Sequence, residues 1–135
     1  MIPADVLQRF AHARVAHLAT VREDGSPHIV PFVFELQGDT IFAIVDDKPK
    51  RTQNVMRLAN IRANPRVSVL VDSYGENWDK LWWVRADGEA RVIEEGEDRD
   101  HVVEMLSEKY PQYRDQPPTG PAIVILVKQW RHWPS

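Results

Sequence analysis

The sequence predicts a mainly β fold, a small antiparallel barrel with peripheral helices, and three observations lead to it. Short runs rich in β-branched and aromatic residues follow one another, as is typical of strands. Turn sequences at residues 23–26 and 37–39 join the first three runs, which excludes the alternation of strands and crossover helices seen in parallel sheets. Helical spacing of apolar residues is confined to three segments outside these runs.

The first half of the chain predicts a helix, three strands and a second helix. Residues 3–13 carry apolar side chains at helical spacing, and Pro3 suits a first turn, where its missing N–H is not needed. Strands are predicted at 15–21, 29–36 and 40–45 and would form a meander. Pro31 indicates that the second of them lies at a sheet edge or contains a bulge. Residues 52–62 predict a helix with Val55, Leu58, Ala59 and Ile61 on its apolar stripe.

The second half predicts the remaining strands and one more helix. Residues 67–71 are strand-like, and 73–80 form a polar loop that carries Trp78. Residues 81–86 and 89–93 form either one long strand or a hairpin around Asp87-Gly88. An acidic helix at 97–109 turns Val102, Val103, Leu106 and the following Tyr110 inward. A proline-rich turn segment at 111–121 precedes the last strand, 122–127.

Length and composition limit the classes of function. The chain has 135 residues, 43% hydrophobic and 27% charged, which predicts one globular domain over residues 1–135. It contains no cysteine, which excludes disulfides, thiolate metal sites and cysteine nucleophiles. No apolar run has the roughly 18 residues that a membrane helix needs, and the first residues show no secretory signal. We therefore expect a cytoplasmic protein with no membrane partner.

No motif of metal, serine or phosphate-loop chemistry is present. The 5 histidines show no metal-ligand spacing, so no metal site is predicted. Glycine-rich nucleotide loops and the G-x-S-x-G elbow are also missing from the sequence. No catalytic residue is identified. His28 and Tyr74 are candidate proton donors, with water as the alternative.

The most informative segment carries positive charge between a strand and a helix. Residues 48–71 contain six bases and no acid, although the net charge of the chain is −3. Free N–H groups and the dipole at a helix start favour an anion. The side chains of Lys48, Lys50, Arg51 and Thr52 add donors, so the segment predicts a phosphate site. The small basic stretch in an acidic chain favours a specific anion over a nucleic acid, for which we expect no binding.

A cluster of aromatic residues adds the second part of a ligand. Trp82, Trp83 and Arg85 lie close to Trp78 in the sequence, and aromatic faces beside a cation can stack on a flat ring. A ring together with a phosphate describes a nucleotide-like or flavin-like cofactor. Core packing of these tryptophans is the other interpretation.

The chain resembles the pyridoxamine 5′-phosphate oxidase-like split β-barrel flavin and deazaflavin oxidoreductases over nearly its whole length. The resemblance rests on residues 24–31, 46–52, 64–68 and 81–88, which read DGSPHIVP, DDKPKRT, NPRVS and LWWVRADG. The combination is most similar to a subgroup described as coenzyme F420-dependent enzymes. The substrate motif of the oxidase itself is not recognisable, so oxidation of vitamin B6 is not expected.

The resemblance implies a split β-barrel of six to seven antiparallel strands and a homodimer with the cofactor in the cleft between subunits. It implies that coenzyme F420 is the cofactor, with FMN as the alternative, and that reduced deazaflavin gives a hydride to a small unsaturated planar substrate. The strand with His28 would run along the ring system. The phosphate would be held by Lys50, Arg51 and Thr52, with Lys48 and Asn54 nearby. Trp82 and Trp83 would border the site, and the partner subunit could supply them.

Two other functions remain open at this point. An FMN-binding reductase would use the same fold with a different cofactor. A cofactor carrier or a haem-handling protein would use it without catalysis.

Overall fold

The computed structural model describes residues 2–45 and 51–134, with only the backbone described for residues 51–55. Seven strands form one antiparallel sheet in the order β2-β1-β5-β6-β7-β4-β3. Their bounds are Ala16–Val21 (β1), Pro27–Phe32 (β2), Glu35–Gln37 (β3), Thr40–Ile44 (β4), Arg66–Ser73 (β5), Trp82–Ile93 (β6) and Ala122–Trp133 (β7). The helices are Ala4–His12 (α1), Arg51–Ala63 (α2), Glu97–Lys109 (α3) and Gln112–Asp115 (α4). A 3-10 turn covers Trp78–Lys80.

The two long strands β6 and β7 connect the two halves of the sheet. They pair with each other along their length, while β5 pairs with the first part of β6 and β4 with the first part of β7. The pairing of β6 with β7 is irregular at Asp87/Gly88. A Cβ at Gly88 would lie 2.3 Å from the Leu126 carbonyl oxygen, so only glycine permits this close approach. The predicted mainly β split barrel is confirmed, with seven strands.

Alternation along the strands separates two cores. On β7, Ile123 and Ile125 are fully buried in the main core inside the barrel. Ala122 and Val124 belong instead to a smaller core, which they share with Val102 and Leu106 of α3. This period of two is what a strand that is covered on both faces requires. α3 therefore covers the outer side of β4 and β7, while α1 contributes Phe10 to the barrel interior.

The predicted strand over residues 29–36 is wrong in its extent. The chain forms β2 up to Phe32, bends, and begins β3 at Glu35. Phe34 is fully buried in this bend, and its N–H and carbonyl bond the Tyr110 hydroxyl at 3.2 and 3.0 Å. The Tyr110 hydroxyl thus makes the hydrogen bonds to the Phe34 backbone that a neighbouring strand would make in a sheet. The predicted edge position of β2 is correct, because β2 pairs only with β1 among the described residues.

Other differences concern pairing and burial. The predicted meander does not form, because the β1–β2 and β3–β4 hairpins lie at opposite ends of the strand order. Residues 82–93 are one strand, and the last strand continues to Trp133, beyond its predicted end. On α2, the buried side chains include Arg57 and Asn60, whereas the predicted Ala59 is exposed. No helix among the described residues is long and apolar enough to cross a membrane.

Candidate functional site

Most of the predicted phosphate contacts are not covered by the structure. Lys48 and Lys50 lie outside the described residues. Arg51, Thr52 and Asn54 form the first turns of α2, and their side chains are also outside the described part. Their roles stay predictions. The positions of His28, Trp82 and Trp83 are described.

A buried polar contact fixes α2 over the end of β1. The Asn60 amide donates to the Thr20 hydroxyl at 3.0 Å, and both side chains are almost completely buried. Arg57 lies about one turn earlier on the same helix and is 9% exposed. A cation this deeply buried is unusual without a partner of opposite charge.

His28 lies at the start of β2, opposite Thr20 on β1, and is close enough to Arg57 for the guanidinium charge to affect its pKa. Burial is the largest cause that lowers the pKa of His28, and the positive charges of Arg22 and Arg57 lower that pKa further. His28 therefore favours its neutral form at neutral pH. Its Nδ1 atom is buried and has no hydrogen-bond partner among the described residues.

The Arg57 guanidinium is also incompletely paired. Its Nε atom is buried without a hydrogen-bond partner in the part of the chain that the structure describes. Burial lowers the pKa of Arg57, and the nearby Tyr113 opposes this change by raising that pKa. Arginine nevertheless stays charged in proteins. No described carboxylate contributes to the pKa shift of Arg57 or of His28. Among the described residues, no carboxylate offsets the positive charge beside His28, and an anion could neutralise that charge.

β2 presents a nearly donor-free edge next to this charge. Just beyond the Val21–Pro27 pair, the Arg22 N–H donates to the Ser26 carbonyl at 2.9 Å, so Arg22 and Ser26 form a hydrogen-bonded pair. Hydrogen-bonded and non-hydrogen-bonded pairs then alternate along β1 and β2 from this point. By the alternation of antiparallel pairs, Pro27, Ile29 and Pro31 turn their backbone groups away from β1. Proline has no N–H, so Ile29 supplies the one donor of this edge, flanked by carbonyls.

One end of the edge already binds a cation. The Arg22 guanidinium donates to the Pro27 carbonyl at 2.7 Å and to the Ser26 hydroxyl at 3.3 Å. The two prolines also prevent another strand from continuing the sheet here. The edge therefore suits a small flat ligand with both acceptor and donor atoms along one side better than it suits another strand.

A second concave surface lies on the outer face of the same strands. A groove of about 440 Å³ runs across β2, β1, β5 and β6, and its lining includes Ile29, His17, Leu70, Tyr74 and Trp83. Ile29 is 64% exposed and Tyr74 is 63% exposed. An exposed, contiguous apolar face of this kind usually marks a site of interaction with another molecule.

The two predicted tryptophans do not share one surface. Trp83 faces the outer groove, where Arg85 lies 5.9 Å from its ring. Trp82 packs against the main core, with Arg9 5.7 Å from its ring. Successive residues of a strand point to opposite faces, so both cannot stack on one side of a ligand. Either contact with a cofactor stays a prediction.

The sequence matches a known protein family over nearly its whole length. The family model described as pyridoxamine 5′-phosphate oxidase matches residues 2–134. The chain belongs to the pyridoxamine 5′-phosphate oxidase family. It is thus a member of a family of flavin-binding split-barrel oxidoreductases, as the resemblance predicted. No curated protein matches the sequence significantly.

Solved structures related to this family member share its fold. The conserved hypothetical protein Rv2991 from Mycobacterium tuberculosis is 25% identical with a TM-score of 0.78, over 98% of this chain and 84% of that chain. A protein described as an F420 reductase is 20% identical with a TM-score of 0.72, over 96% and 98%. HutZ, the haem storage protein from Vibrio cholerae, is 18% identical with a TM-score of 0.73, over 98% and 94%. The last two likenesses show the fold alone.

Arg57 and Arg22 are not among the residues that the sequence predicts to hold the phosphate or the ring. The signal for Arg57 is present in the sequence, because it lies one residue before Leu58 and four before Ile61 on the apolar stripe of a helix. A cation on such a stripe indicates either a snorkelling side chain or a buried charge. Only the position of α2 against β1 and β2 decides between the two.

Proposed function

We propose that this member of the pyridoxamine 5′-phosphate oxidase family is a coenzyme F420-dependent oxidoreductase. Reduced deazaflavin would give a hydride to a small unsaturated planar organic substrate. The observation that carries the proposal is the free edge of β2, whose Pro27 carbonyl binds Arg22 and which lies close to the buried Arg57. A ligand with a flat polar ring and an anionic group matches both features.

The edge of β2 is suited to the ring. Flavins and deazaflavins carry a pyrimidine ring whose rim alternates carbonyl oxygens and an N–H group. The Ile29 N–H can donate to one such oxygen, and a neighbouring carbonyl of β2 can accept from the ring N–H. Two such hydrogen bonds would orient the ring, which is the main task of a protein whose cofactor supplies the chemistry.

The course of α2 supports a phosphate site beyond this edge. Asn60 bonds β1, and Arg57, one turn earlier, lies beside His28 on β2. The first turn of α2 therefore continues in the direction of the free edge. We propose that Arg51, Thr52 and Asn54, together with Lys48 and Lys50, hold the cofactor phosphate there. Donors at a helix start are suited to this role.

The outer groove supports a homodimer. Its apolar floor borders the edge of β2 and includes the exposed Ile29 and the half-buried Leu70. A second copy that covers it would bring Trp83 of one subunit towards the cofactor of the other and exclude water from the ring. Leu70→Glu should then yield monomers in sedimentation velocity, while the matched Leu126→Glu, at an exposed leucine of β7, should leave the dimer intact. Monomers in the unmodified protein would contradict the dimer.

A paired titration tests the cofactor. The purified protein without cofactor is titrated with coenzyme F420 and with FMN, and binding is followed by fluorescence. Saturable binding of coenzyme F420 that is much tighter than that of FMN is expected, followed by oxidation of the reduced coenzyme with a panel of enones and quinones. Preference for FMN would make the protein a flavin reductase. Tight binding without turnover would make it a carrier, and a Soret band on addition of haem, with neither cofactor bound, would indicate haem handling.

A single substitution tests the phosphate contact. Arg51→Ala should weaken binding of coenzyme F420 by roughly 10- to 150-fold, since a charge-assisted hydrogen bond contributes about 1.5–3 kcal/mol. The melting temperature should stay nearly unchanged. Arg91→Ala, at an exposed arginine of β6, is the matched control and should bind normally. If Arg51→Ala instead lowers the melting temperature and leaves the affinity for coenzyme F420 unchanged, Arg51 is structural and the phosphate binds elsewhere.

A further inference from the structure

We propose that Lys109 is a site of N-acylation, and that its acyl donor is a small acyl phosphate. Lys109 is the last residue of α3 and lines a cavity of about 470 Å³, where the end of α1 and the start of β3 meet α3. The cavity is lined by Ala11, His12, Arg14, Glu35, Glu108 and Lys109. The reaction needs no cofactor and is independent of the proposed function.

Two backbone carbonyls hold the Lys109 side chain in place. Its Nζ donates to the Ala11 carbonyl at 2.9 Å and to the Phe34 carbonyl at 3.0 Å. Among the described residues, no third oxygen atom accepts from Nζ. An ammonium group has three N–H donors, whereas a neutral amine has two and a lone pair. The amine therefore satisfies both carbonyls as well as the ammonium does, and its lone pair stays free for attack on a donor.

The surroundings of Nζ favour this neutral amine. Nζ lies 4.1 Å from the ring centroid of Phe34 and 5.4 Å from that of Tyr110, and the side chain is half-buried. Burial is the largest cause that lowers the pKa of Lys109 to about 8, while Glu35 opposes this change and the charge of Arg14 adds to it. At pH 7, roughly 9% of such a group is neutral, against roughly 0.04% of an ordinary lysine. Lys109 thus carries far more of the nucleophilic form.

The charges around the cavity favour a donor with an anionic leaving group. The Arg14 guanidinium donates to the Lys109 carbonyl at 2.7 Å and lies 4.6 Å from the Tyr110 ring, which keeps it beside the cavity. Its remaining N–H groups can donate to a phosphate. His12 lines the same cavity and can add another donor. Glu35 and Glu108 also line it, so the cavity suits one small anion at Arg14 better than an extended polyanion.

The reaction is an ordinary acyl transfer to an amine. The Nζ lone pair attacks the acyl carbon, a C–N bond forms, and the C–O bond to the phosphate breaks. Phosphate leaves with the electron pair of that bond, and the proton that Nζ loses passes to water. The product is a neutral amide with a single N–H, so one of the two carbonyls loses its donor. The acylated protein should therefore melt roughly 3–6 °C below the unmodified protein.

Peptide mass spectrometry of the full chain after incubation with acetyl phosphate tests the site. At pH 7, Lys109 should be acetylated at least tenfold faster than the controls Lys80 and Lys128, which are both exposed. Lys128 also lies 3.7 Å from the Glu89 carboxylate. The rate at Lys109 should level off above about pH 8. Acetylation of Lys109 that is no faster than that of Lys128, or a rate at Lys109 that still rises tenfold per pH unit up to about pH 10, would overturn the site.

A second donor separates the nucleophile from the recognition of phosphate. Arg14→Gln should slow acetylation of Lys109 by acetyl phosphate at least fivefold more than acetylation by p-nitrophenyl acetate, which is uncharged. Arg91→Gln, at an exposed arginine of β6, is the matched control and should change neither rate. If Arg14→Gln changes both rates by the same factor, Arg14 does not bind the phosphate and the acyl phosphate is not the preferred donor.

Discussion

Removing the Tyr110 hydroxyl should reveal how much the bend between β2 and β3 depends on one side chain. The hydroxyl accepts from Phe34 N–H at 3.2 Å, and the Arg14 and Phe34 carbonyls lie 2.9 and 3.0 Å from it as acceptors for its single proton. Tyr110 is 6% exposed and Phe34 is fully buried. Tyr110→Phe keeps the ring and its packing, so it tests the polar contacts alone.

Most of the stability that Tyr110→Phe loses comes from one buried donor, the Phe34 N–H. In the variant, the Phe34 carbonyl still accepts from the Lys109 ammonium group at 3.0 Å. The Arg14 carbonyl belongs to an exposed residue, where water can replace the hydroxyl. Phe34 N–H is left without a partner, and an unsatisfied buried donor costs about 1–3 kcal/mol. We therefore expect a loss of about 2 kcal/mol in the free energy of unfolding, or roughly 6–10 °C in melting temperature for a chain of this size.

Urea unfolding followed by tryptophan fluorescence measures this loss. The midpoint should fall while the slope stays unchanged, because the surface exposed on unfolding is the same. Tyr74→Phe is the matched control, since Tyr74 is 63% exposed, and its variant should unfold like the wild type. A loss below about 0.5 kcal/mol for Tyr110→Phe, which is usual for surface substitutions, would refute the reasoning.

Three further predictions follow from the packing. Gly88→Ala should lower the free energy of unfolding by at least about 1–3 kcal/mol, because its Cβ would meet the Leu126 carbonyl oxygen at 2.3 Å. The control Gly75→Ala has open space around its Cβ and should leave the free energy of unfolding unchanged. Equal melting temperatures of the two variants would contradict the predicted clash. Phe10→Ala should cost about 3–5 kcal/mol and shift the fluorescence of Trp130, whose ring centroid lies 5.0 Å from that of Phe10; an unshifted emission spectrum would speak against the contact. Burial lowers the pKa of Lys109 from 10.5 to about 8, so between these pH values the unfolded chain binds more protons than the folded chain. Lys109 should therefore make the free energy of unfolding rise with pH in this range. Urea titrations of Lys109→Met should show no such rise, and an unchanged rise would assign it to other groups.

Local elements of the fold could be predicted because their causes lie close together in the sequence. Pro31 predicts an edge or a bulge because it removes a ladder donor, and the structure places β2 at the edge of the sheet. The apolar spacing of α1 and α3 matches their buried faces, with Phe10 and Leu106 fully buried. The motifs also indicated the family, which the match over residues 2–134 confirms.

The candidate site could be predicted only in part. His28 was selected from its place at the start of a strand, where the structure also has it, and its contact with a cofactor stays a prediction. The burial of Arg57 was not predicted because the strands that α2 packs on, β1 and β2, are more than twenty-five residues away in the sequence. Trp82 and Trp83 were both predicted to border the site, and the structure turns them to opposite faces of their strand.

The sequence by itself determined α1, α2 and α3, most strands, the choice between an edge and a bulge for β2, and the concentration of positive charge between residues 48 and 66; it predicted a turn segment where the structure has α4. Only the tertiary structure decided that β4 pairs with β7 and β1 with β5, and that the bend at Phe34 is completed by Tyr110. It also decided that Arg57 is buried beside His28. The physical reason is that propensity and turn chemistry act over a few residues, whereas strand order and the burial of a charge depend on contacts between segments far apart in the chain.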